Sequence, residues 1–508
     1  MATRDRAYLL GVDLGAGSLK ATIIDEAGGL AGEASHPIAT QSPRPGWSEQ
    51  DPEDWWRALR RALPEALAAG RLSGGDIAAV GISAGAHIAV LTDADGRVLR
   101  PAILWNDQRS AAEAEALHAR AGAQVVERSL NRANPTWTLP QLAWLKRHEP
   151  EVTERTARLY IAKDHLRSRL TGDWTTDFSD VVGALMADVR TRDWSPELCA
   201  LIDWPHGTLP PVARPQDIAG KVTEAAAEAT GLAAGTPVVV GSNDTTVELF
   251  GCGAVRPGEG AIKLATAGVV FLAVDRPEVH PPVSCYPHIV EDMWYMASGI
   301  NACATAHRWV RDRFFADLDP ETAFAEMDRL AASVPPGAQG LLFHPYLQGE
   351  RAPHWDPKLR GDFLGLTLAH ERAHFARACY EGIALALTDV LREARRLSGA
   401  EFGALRLLGG GARSATWRQI IADATGLTLK QPGNGDASFG AALVAGLGVG
   451  VFASPRDAAE RCARVVAEAR PDPKGQAAYA RLFSLYDEAR RRLTDISHAL
   501  GEDTSLIP

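Results

Sequence analysis

The sequence predicts an α/β fold divided into at least two domains. Short apolar segments of strand type alternate with longer Ala-, Leu- and Arg-rich helical segments along the chain, which is the pattern of α/β architecture. With 508 residues, the chain is longer than one hydrophobic core normally serves. Its content of 46% hydrophobic and 23% charged residues is ordinary for a globular protein.

The charge and the cysteines narrow the class of protein. A formal net charge of −10 argues against nucleic acid or an anionic membrane as the main partner. The six cysteines are far apart and form no C-x-x-C pair, which disfavours a zinc framework and is typical of a reducing compartment. The first residues lack the features of a secretory signal, and the weakly polar stretch 437–452 is shorter than a membrane span. We therefore expect a cytoplasmic enzyme.

The first predicted element is a hairpin. Residues 7–12 and 19–24 are predicted as strands around the turn DLGAGS, and residues 260–274 repeat the order of strand, small-residue turn and strand. The repeat suggests two related halves, although the two segments are only faintly similar.

The turn of the first hairpin carries an acid. Asp13 ends the first strand, and Ser18 and Lys20 follow the turn. A carboxylate beside a small-residue turn suits Mg²⁺ and phosphate, because unhindered backbone N–H groups can approach phosphate oxygens. A plain hairpin turn without a ligand is the alternative. The segment matches neither the P-loop nor the dinucleotide-binding glycine pattern.

A second acid follows a buried strand. In GSNDTT, residues 241–246, Asp244 lies between the strand PVVVG and a short helix, close to a domain boundary predicted at 250–258. This position suits a general base. The alternative is that Asp244 only caps the helix that contains residues 247–250.

The segment 407–426 places three glycines between a predicted strand and a helix over 415–424. Glycines let a ligand approach the backbone closely, so we expect ligand contact here. Another helix is predicted over 371–397, and the tail from about residue 454 is predicted as helical, for packing or for dimerisation. The sequence HERAH at 370–374 matches H-E-x-x-H, but a solvated helix start explains it better than zinc does.

Two further residues stand in candidate ligand turns. His87 follows the strand DIAAVGIS among small residues that leave room for a substrate, although a lone histidine in such a place is usually structural. Trp105 begins the polar run WNDQR and offers an aromatic face of the kind that grips a sugar. The alternative for this run is a helix cap at Asp107 with Trp105 in the core.

Taken together, these segments resemble the FGGY family of carbohydrate kinases, in particular its xylulokinase branch. The resemblance covers about residues 8–450 and rests on segments that occur in the family's order: GWSEQDPEDWW, RPAILWNDQRS, KDHL, LTGDW, TDFSD, RDWS, PYLQGERAPH, FLGLTL, RACYEG and LLGGGARS. It implies two ribonuclease H-like domains of the actin/Hsp70 ATPase type with an interdomain cleft. Residues 1–253 would form the sugar side with the first phosphate turn, and 254–508 the nucleotide side with a helical tail.

The resemblance also implies the site residues. They are Asp13 for Mg²⁺; Gly15, Ser18, Lys20, Thr266 and Gly268 for the phosphates of ATP; Gly410, Gly411, Ala412 and Thr416 for adenosine; Ala86, His87, Trp105 and Thr245 for the sugar; and Asp244 as catalytic base and substrate contact.

The chain departs from the family pattern at several positions. Ala16 replaces a Thr in the first phosphate turn, and Ala265 replaces a Gly in the second. A lost neutral hydrogen bond costs on the order of 1 kcal/mol, which slows a kinase without abolishing it. Residues 85–88 read GAHI where xylulokinases usually have QMHG, and Gln141 stands where a family signature carries Lys.

The implied reaction is ATP- and Mg²⁺-dependent phosphorylation of D-xylulose to D-xylulose 5-phosphate. The departures leave other substrates open, namely another ketose such as ribulose, an erythritol-type polyol or gluconate, and they leave open a weakly active sugar-binding relative. An assembly ATPase of the actin or Hsp70 kind would have no use for the sugar-pocket segments at 81–109. A homodimer also stays open.

Overall fold

The computed structural model describes residues 7–280 and 282–502. These residues form two compact units. Of the described residues, the first unit comprises those within 7–255, 275–295 and 434–464, and the second comprises those within 256–274, 296–433 and 465–502. Each unit is therefore assembled from three separate segments of the chain. The division at 253/254 expected from the resemblance follows chain order and stays a prediction.

The first unit contains most of the short elements. Its strands are β1 Tyr8–Leu14, β2 Ser18–Ile24, β3 Leu30–Pro37, β4 Glu49–Gln50, β5 Ile77–Ala84, β6 Ala89–Thr92, β7 Ala102–Ile103, β8 Arg158–Ile161, β9 Thr176–Asp177, β10 Ala187–Asp188, β11 Asp193–Trp194, β12 Val212–Ala213, β13 Ile218–Lys221, β14 Pro237–Val239 and β17 Ser284–Pro287. Its helices are α1 Pro52–Gly70, α2 Ala111–Ser129, α3 Thr138–His148, α4 Pro150–Arg155, α5 Ala162–Thr171, α6 Phe178–Gly183, α7 Pro196–Leu201, α8 Glu224–Thr230, α9 Asp244–Gly251, α14 Ala437–Gly448 and α15 Pro455–Cys462.

The second unit has fewer and longer elements. Its strands are β15 Gly260–Leu264, β16 Gly268–Val274, β18 Trp294–Ile300 (from residue 296 onward), β19 Leu342–His344, β20 Asp362–Leu364, β21 Ala404–Leu408, β22 Thr428–Pro432 and β23 Val465–Ala469. Its helices are α10 Ala304–Phe314, α11 Pro320–Ser333, α12 Arg372–Ser398, α13 Ala415–Thr425 and α16 Pro473–Glu502.

The main sheet of the first unit has the strand order β13-β14-β5-β1-β2-β3. Strand β5 runs parallel to both β1 and β14, while β1 and β2 form the antiparallel hairpin that the sequence predicts. Val12, Ile82 and Val238 on the three parallel strands are fully buried, and each contributes about 1.5–3 kcal/mol by leaving water.

Helix α14 packs closely on this sheet because glycines replace side chains at the contacts. A Cβ added at Gly11 of β1 would lie 1.8 Å from the carbonyl oxygen of Ser438, and one at Gly81 of β5 would lie 2.1 Å from that of Ala441. A Cβ at Gly440 of the helix would lie 1.9 Å from the carbonyl oxygen of Val247. The helix is thus fixed against β1, β5 and α9 at backbone distance.

Within the second unit, neighbouring strands run in the order β18-β16-β15-β21-β22-β23. The hairpin of β15 and β16 is antiparallel, and β15, β21 and β22 run parallel to one another. The predicted second hairpin at 260–274 is therefore formed, with its turn at 265–267.

Two helix predictions hold and one is partly wrong. The helices expected at 371–397 and 415–424 are present as α12 and α13. The tail is helical at α15 and α16, but Val465–Ala469 forms β23, an edge strand paired antiparallel with β22. Two adjacent β-branched valines favour this strand over a continuous helix.

The H-E-x-x-H segment is not on one helical face. Glu371 is the N-cap residue of α12, His374 accepts a hydrogen bond from the backbone N–H of Glu371 through Nδ1, and His370 lies before the helix. Glu371 and His374 form a capping box, which agrees with the interpretation of this segment as a helix start.

Among the described residues, none of the helices combines the length and apolar character that crossing a bilayer requires.

Candidate active site

Three predicted segments of the first unit converge at one sheet edge. The strands β1, β5 and β14 are adjacent and parallel, with Asp13 opposite Ser83 and Val80 opposite Val238 in the register. Their carboxyl ends therefore lie side by side, and this is the edge where open α/β sheets bind ligands. The turns that leave this edge carry the acid of β1, the histidine turn after β5 and the GSNDTT turn after β14.

Asp13 is held at the end of β1 by its neighbour strand. The buried hydroxyl of Ser83 donates a hydrogen bond of 2.9 Å to Asp13 Oδ1. The backbone N–H of Gly15 donates to the carbonyl of Ser18 at 3.0 Å and closes the hairpin turn, which leaves Ala16 and Gly17 exposed. The turn is open to solvent beside a half-buried carboxylate.

Lys20 is already engaged by carboxylates. Its Nζ lies 2.6 Å from Asp436 and 2.7 Å from Glu33. Burial alone lowers the pKa of Lys20, but Asp436 and Glu33 outweigh it, so the pKa lies above its usual value and the ammonium stays charged. In the structure Lys20 forms ion pairs with these two acids. Its contact with phosphate stays a prediction.

Asp244 is the first residue of α9 and not its cap. The N-cap is Asn243, whose side-chain oxygen accepts from the N–H of Thr246 at 3.0 Å. The alternative that Asp244 only caps the helix is therefore wrong. Both residues are good cap formers, so sequence alone could not tell them apart.

The carboxylate of Asp244 is oriented by its own helix turn. Its Oδ1 accepts from the N–H of Thr245 at 2.7 Å and from the Thr245 hydroxyl at 3.2 Å. Gly241 makes the turn possible, since its φ is +76° and an added Cβ would lie 2.1 Å from the carbonyl oxygen of Ile82. The glycine brings the chain tightly over β5 before it reaches Asp244.

His87 is buried and neutral. Its φ is +52° and its side chain is 6% exposed. Burial lowers the pKa of His87 to about 3, so the imidazole carries no charge at neutral pH. Nδ1 has no hydrogen-bond partner among the described residues, and the preceding Ala86 is half-buried.

An aromatic row extends from His87. The ring of His87 stacks on Trp137 at 5.0 Å, Trp137 stacks on Tyr286 at 5.8 Å, and Tyr286 stacks on Tyr295 at 5.6 Å between ring centroids. Burial raises the pKa of both tyrosines, and the charge of Asp244 adds to the rise, which places the row near Asp244. Sequence reasoning missed Trp137 and Tyr286, because no local pattern links residues so far apart along the chain.

Trp105 lies beside the histidine turn. Its side chain is 46% exposed, and a Cβ added at Gly85 would lie 3.5 Å from its indole Cδ1. Asp107 is fully buried, accepts from the N–H of Ser48 at 2.6 Å and pairs with Arg109, whereas Ser110 stands at the N-cap of α2. The alternative of a core tryptophan with Asp107 as helix cap is therefore wrong.

The second unit gathers the other predicted residues at a single edge of its own sheet. Strands β15 and β21 are parallel neighbours, with Lys263 opposite Leu408, so the turns at 265–267 and 409–413 leave the sheet side by side. In the first turn, the carbonyl of Thr266 accepts from the N–H of Cys303 at 3.1 Å, and Thr266 itself is exposed. At Gly268 an added Cβ would lie 2.9 Å from both Ile300 and Leu387.

In the glycine-rich turn at 409–413, the backbone conformation and close packing require glycine at two positions. Gly409 has φ +85°, and an added Cβ would lie 2.3 Å from the carbonyl oxygen of Leu264. At Gly411 an added Cβ would meet Trp417 at 2.8 Å, while at Gly410 it would meet nothing within 4 Å. Ala412 is buried. Gly410 thus exposes its backbone to an approaching ligand.

Helix α13 follows this turn and carries Thr416. Ser414 caps the helix and also donates to Asp328, and the hydroxyl of Thr416 points to the same carboxylate at 3.5 Å. Asp328 was not predicted from the sequence. It ties the end of the glycine turn to α11.

The structure therefore collects the predicted residues in two sets, one in each unit. The first contains Asp13, Gly15, Ser18, Lys20, Ala86, His87, Trp105, Asp244 and Thr245, and the second contains Thr266, Gly268, Gly410, Gly411, Ala412 and Thr416. In the part of the chain that the structure describes, no group of three or more His, Cys, Asp or Glu side chains has the geometry to hold a metal ion.

Comparison with known proteins agrees with this organisation. Residues 8–251 match the N-terminal domain of the FGGY family of carbohydrate kinases, and residues 260–449 match its C-terminal domain. The chain belongs to this family of ATP-dependent carbohydrate kinases, and it has the family's ribonuclease H-like, actin-like ATPase fold.

Individual relatives are similar over most of their length. The xylulose kinase of Bacillus subtilis is 32% identical over 97% of this chain and 98% of the relative. The xylulose kinase of Escherichia coli is 36% identical over 86% of this chain and 89% of the relative. The crystal structure of xylulose kinase from Rhodospirillum rubrum superimposes with a TM-score of 0.88 at 29% identity and covers 97% of this chain and 100% of that chain.

Proposed function

We propose that the protein transfers the γ-phosphate of ATP to D-xylulose and forms D-xylulose 5-phosphate, with Asp244 as the general base. The observation that carries this proposal is the shared carboxyl edge of β1, β5 and β14, from which Asp13, His87 and Asp244 all emerge. The similar proteins of B. subtilis and E. coli, both named xylulose kinase, support D-xylulose as the substrate.

Asp244 would hydrogen-bond the substrate hydroxyl and aim it at the γ-phosphorus. Because the transition state of phosphoryl transfer is loose, the hydroxyl needs little deprotonation early, and the carboxylate can accept the proton late. The hydrogen bonds from Thr245 to Oδ1 hold the carboxylate in one orientation before the sugar arrives. Preorganisation of this kind is the main contribution a protein makes to in-line transfer.

The sugar would be gripped by the neutral His87 ring, by Trp105 and by Thr245, with Ala86 leaving space beside them. An uncharged imidazole can donate a hydrogen bond to a sugar hydroxyl or accept one from it. Because the ring carries no charge, it attracts no counter-ion, which suits a neutral substrate. The exposed face of Trp105 suits stacking on a sugar ring or chain.

Backbone N–H groups of the second unit would hold the nucleotide. The turn at 265–268 would contact the phosphates through Thr266 and Gly268, and Gly410, Gly411, Ala412 and Thr416 would contact adenosine. Gly15, Ser18 and Lys20 of the first turn would complete the phosphate contacts, with Lys20 exchanging a carboxylate for phosphate.

The first hairpin turn also fits Mg²⁺. Asp13 offers a hard carboxylate oxygen next to an exposed turn, and Mg²⁺ in kinases takes one or two carboxylates together with water and phosphate oxygens. When bound, the ion would neutralise charge on the phosphates.

The location and assembly of the enzyme are part of the proposal. All six cysteines lie among the described residues, are buried and form no disulfide, which supports a reducing, cytoplasmic setting. A homodimer is the assembly to test first, by light scattering of the purified chain.

The test is an ADP-release assay over a panel of ketopentoses, hexoses, polyols and aldonates. We expect the highest kcat/KM with D-xylulose. A clear preference for ribulose, a polyol or gluconate would overturn the substrate while keeping the kinase, and no sugar-dependent ADP release would favour the weakly active sugar-binding relative.

The base is tested separately with Asp244→Asn. We expect a loss of kcat of at least about 10²-fold, the usual contribution of a positioned general base. Asp217→Asn is the matched control, because this exposed acid of the same unit only pairs with Arg214. Near-normal sugar phosphorylation by the Asp244→Asn variant would show that the base is assigned wrongly.

A further inference from the structure

The start of α6 is joined to the start of α9 by a chain of buried hydroxyl and amide groups. The amide nitrogen of Asn243 donates to Ser179 Oγ at 2.8 Å. The Ser179 hydroxyl also lies 2.9 Å from the hydroxyl of Thr246, which in turn lies 3.0 Å from the hydroxyl of Tyr295. All four side chains are buried.

Asp177 extends this network to the residue before the cap. It caps α6 by accepting from the N–H of Ser179 at 3.0 Å, and its same oxygen, Oδ2, accepts from the hydroxyl of Ser242 at 2.7 Å. Ser242, Asn243 and Thr246 are thus all tied to Asp177 or Ser179, and these three residues surround Asp244 along the chain.

A fully buried lysine anchors the network. Lys163 Nζ lies 2.5 Å from Asp164, 3.0 Å from Asp177 and 3.2 Å from Asp180. Burial alone would lower the pKa of Lys163, but the three carboxylates outweigh it and raise the pKa above its usual range. The ammonium therefore stays charged and fixes the side chain of Asp177.

The other side of the same turn is held by Arg167. Its guanidinium shares Asp164 with Lys163 and donates to the carbonyl of Val240, at the end of β14, at 2.5 Å. The chain is therefore held both before and after Gly241, and the turn 241–246 has little freedom to shift.

Helix capping alone does not require this network. The cap of α9 is complete with the bond from the Thr246 N–H to the Asn243 oxygen. The Asn243 amide nitrogen bonds to Ser179, and the Thr246 hydroxyl bonds to Ser179 and Tyr295. These contacts fix the direction in which α9 starts. We propose that Ser179, held by Asp177, is a positioning residue for Asp244: it sets the angle of the first turn of α9, so that the carboxylate meets the substrate hydroxyl.

This inference rests on the proposed role of Asp244 as base. A shift of a reacting group by about 1 Å can cost about 10²-fold in rate. Loss of one positioning hydroxyl should cost part of that rate. It should act on kcat rather than on the binding of sugar, because Ser179 is buried and bonds to Asp177, Asn243 and Thr246 rather than to the residues proposed to contact the sugar.

The experiment compares two buried serines in the full-length protein. Ser179→Ala removes the bridging hydroxyl, and Ser129→Ala is the matched control, since Ser129 is equally buried in the first unit but donates only to the carbonyl of Val182. We expect Ser179→Ala to lower the kcat of sugar phosphorylation about tenfold with less than a threefold change in sugar KM, and Ser129→Ala to leave kcat within twofold.

Two further readouts separate positioning from general damage. The KM for ATP should stay within twofold of wild type in Ser179→Ala, because the hydrogen bonds of Ser179 go to Asp177, Asn243 and Thr246, outside the proposed nucleotide residues. Thr246→Val, which removes the partner hydroxyl, should also lower kcat. The double variant should lose less than the product of the two single losses, since both substitutions break the contact between Ser179 and Thr246.

The outcomes are distinct. If Ser179→Ala keeps kcat within twofold of wild type, or if its kcat falls together with a rise of more than threefold in the KM for sugar or for ATP, the positioning role is refuted. If Asp244→Asn keeps full activity, the proposed base fails first, whatever Ser179→Ala does.

Discussion

The two sheet edges that carry the candidate site expose different kinds of chemical group. In the first unit, the edge of β1, β5 and β14 presents side chains, namely Asp13, His87 and Asp244, each held by hydrogen bonds or by burial. In the second unit, the edge of β15 and β21 presents backbone, because glycines or small residues occupy the turns. A sugar is recognised by particular side chains, whereas phosphate and a flat base can be held by N–H groups. Substitutions should therefore affect the two edges in different ways.

The largest effect on kcat should come from removing a charge at the first edge. Asp13→Asn keeps the shape and the hydrogen bond from Ser83 but removes the negative charge. We expect kcat to fall about 10²- to 10³-fold, since electrostatic stabilisation at the phosphates is worth about 3–4 kcal/mol. Steady-state kinetics with a Mg²⁺ titration would measure this loss. Unchanged kcat and Mg²⁺ dependence would contradict the metal role of Asp13.

Substitutions at the second edge should act through steric fit rather than through charge. Gly409→Ala places a Cβ 2.3 Å from a carbonyl oxygen at φ +85°, so we expect it to lower the stability by about 1–3 kcal/mol, seen in chemical denaturation. Gly410→Ala meets no protein atom, so it should keep the stability of wild type and raise the KM for ATP several-fold. An unchanged KM for ATP in Gly410→Ala would contradict nucleotide contact at this glycine.

A buried acid in the second unit should make stability depend on pH. Burial raises the pKa of Glu350 to about 7, against opposing hydrogen bonds from the N–H groups of Asn301 and Arg351, while Asp389 adds to the rise. A raised carboxyl pKa means that the stabilisation is fully present below about 4.5 and is lost as the pH rises through about 7.

Glu350→Gln cannot ionise but keeps the acceptor oxygen. Relative to wild type, the variant should therefore gain stability between pH 5 and pH 8, by up to about 3 kcal/mol. Paired thermal melts at the two pH values would measure this gain. A difference between variant and wild type that stays constant with pH would contradict the raised pKa.

The smallest effect should come from restoring a hydroxyl to the first turn. Ala16 is exposed, so Ala16→Thr should fold normally and add at most one hydrogen bond near the phosphates, worth about 1 kcal/mol or about fivefold in kcat/KM for ATP. A comparable gain in Ala27→Thr, at an exposed turn after β2 with no predicted ligand, would show that the effect is not specific.

Local sequence patterns predicted the parts of the fold that depend on neighbours in the chain. Both hairpins, the glycine turn after β21 and the helices α12 and α13 follow from periodicity and from small residues at turns. The family motifs then predicted the site residues, and the structure groups them at two sheet edges. Their individual roles stay predictions.

What the sequence could not predict depends on distant residues. The row from His87 through Trp137 to Tyr286 is formed by three separate segments, and Lys20 meets Asp436 only after the chain has folded. In the sequence, Asp244 is the only residue considered as the possible cap of α9, whereas the structure places Asn243 there. Asn and Asp have nearly equal cap propensity, and only the direction of the backbone chooses between the two neighbours. Strand β23 was missed because its pairing with β22 overrides the helical composition around it.

The glycine contacts of α14 also bear on the order of events during synthesis. The first sheet is completed by a helix that is synthesised long after its strands, since Thr22 of β2 bonds to Ser438 across 416 residues of chain. Until that helix arrives, the faces of β1 and β5 around Gly11 and Gly81 lack their cover. Closing so long a loop is slow, and exposed apolar strands are prone to aggregate while they wait. We therefore expect the nascent N-terminal half to depend on chaperones until α14 has left the ribosome.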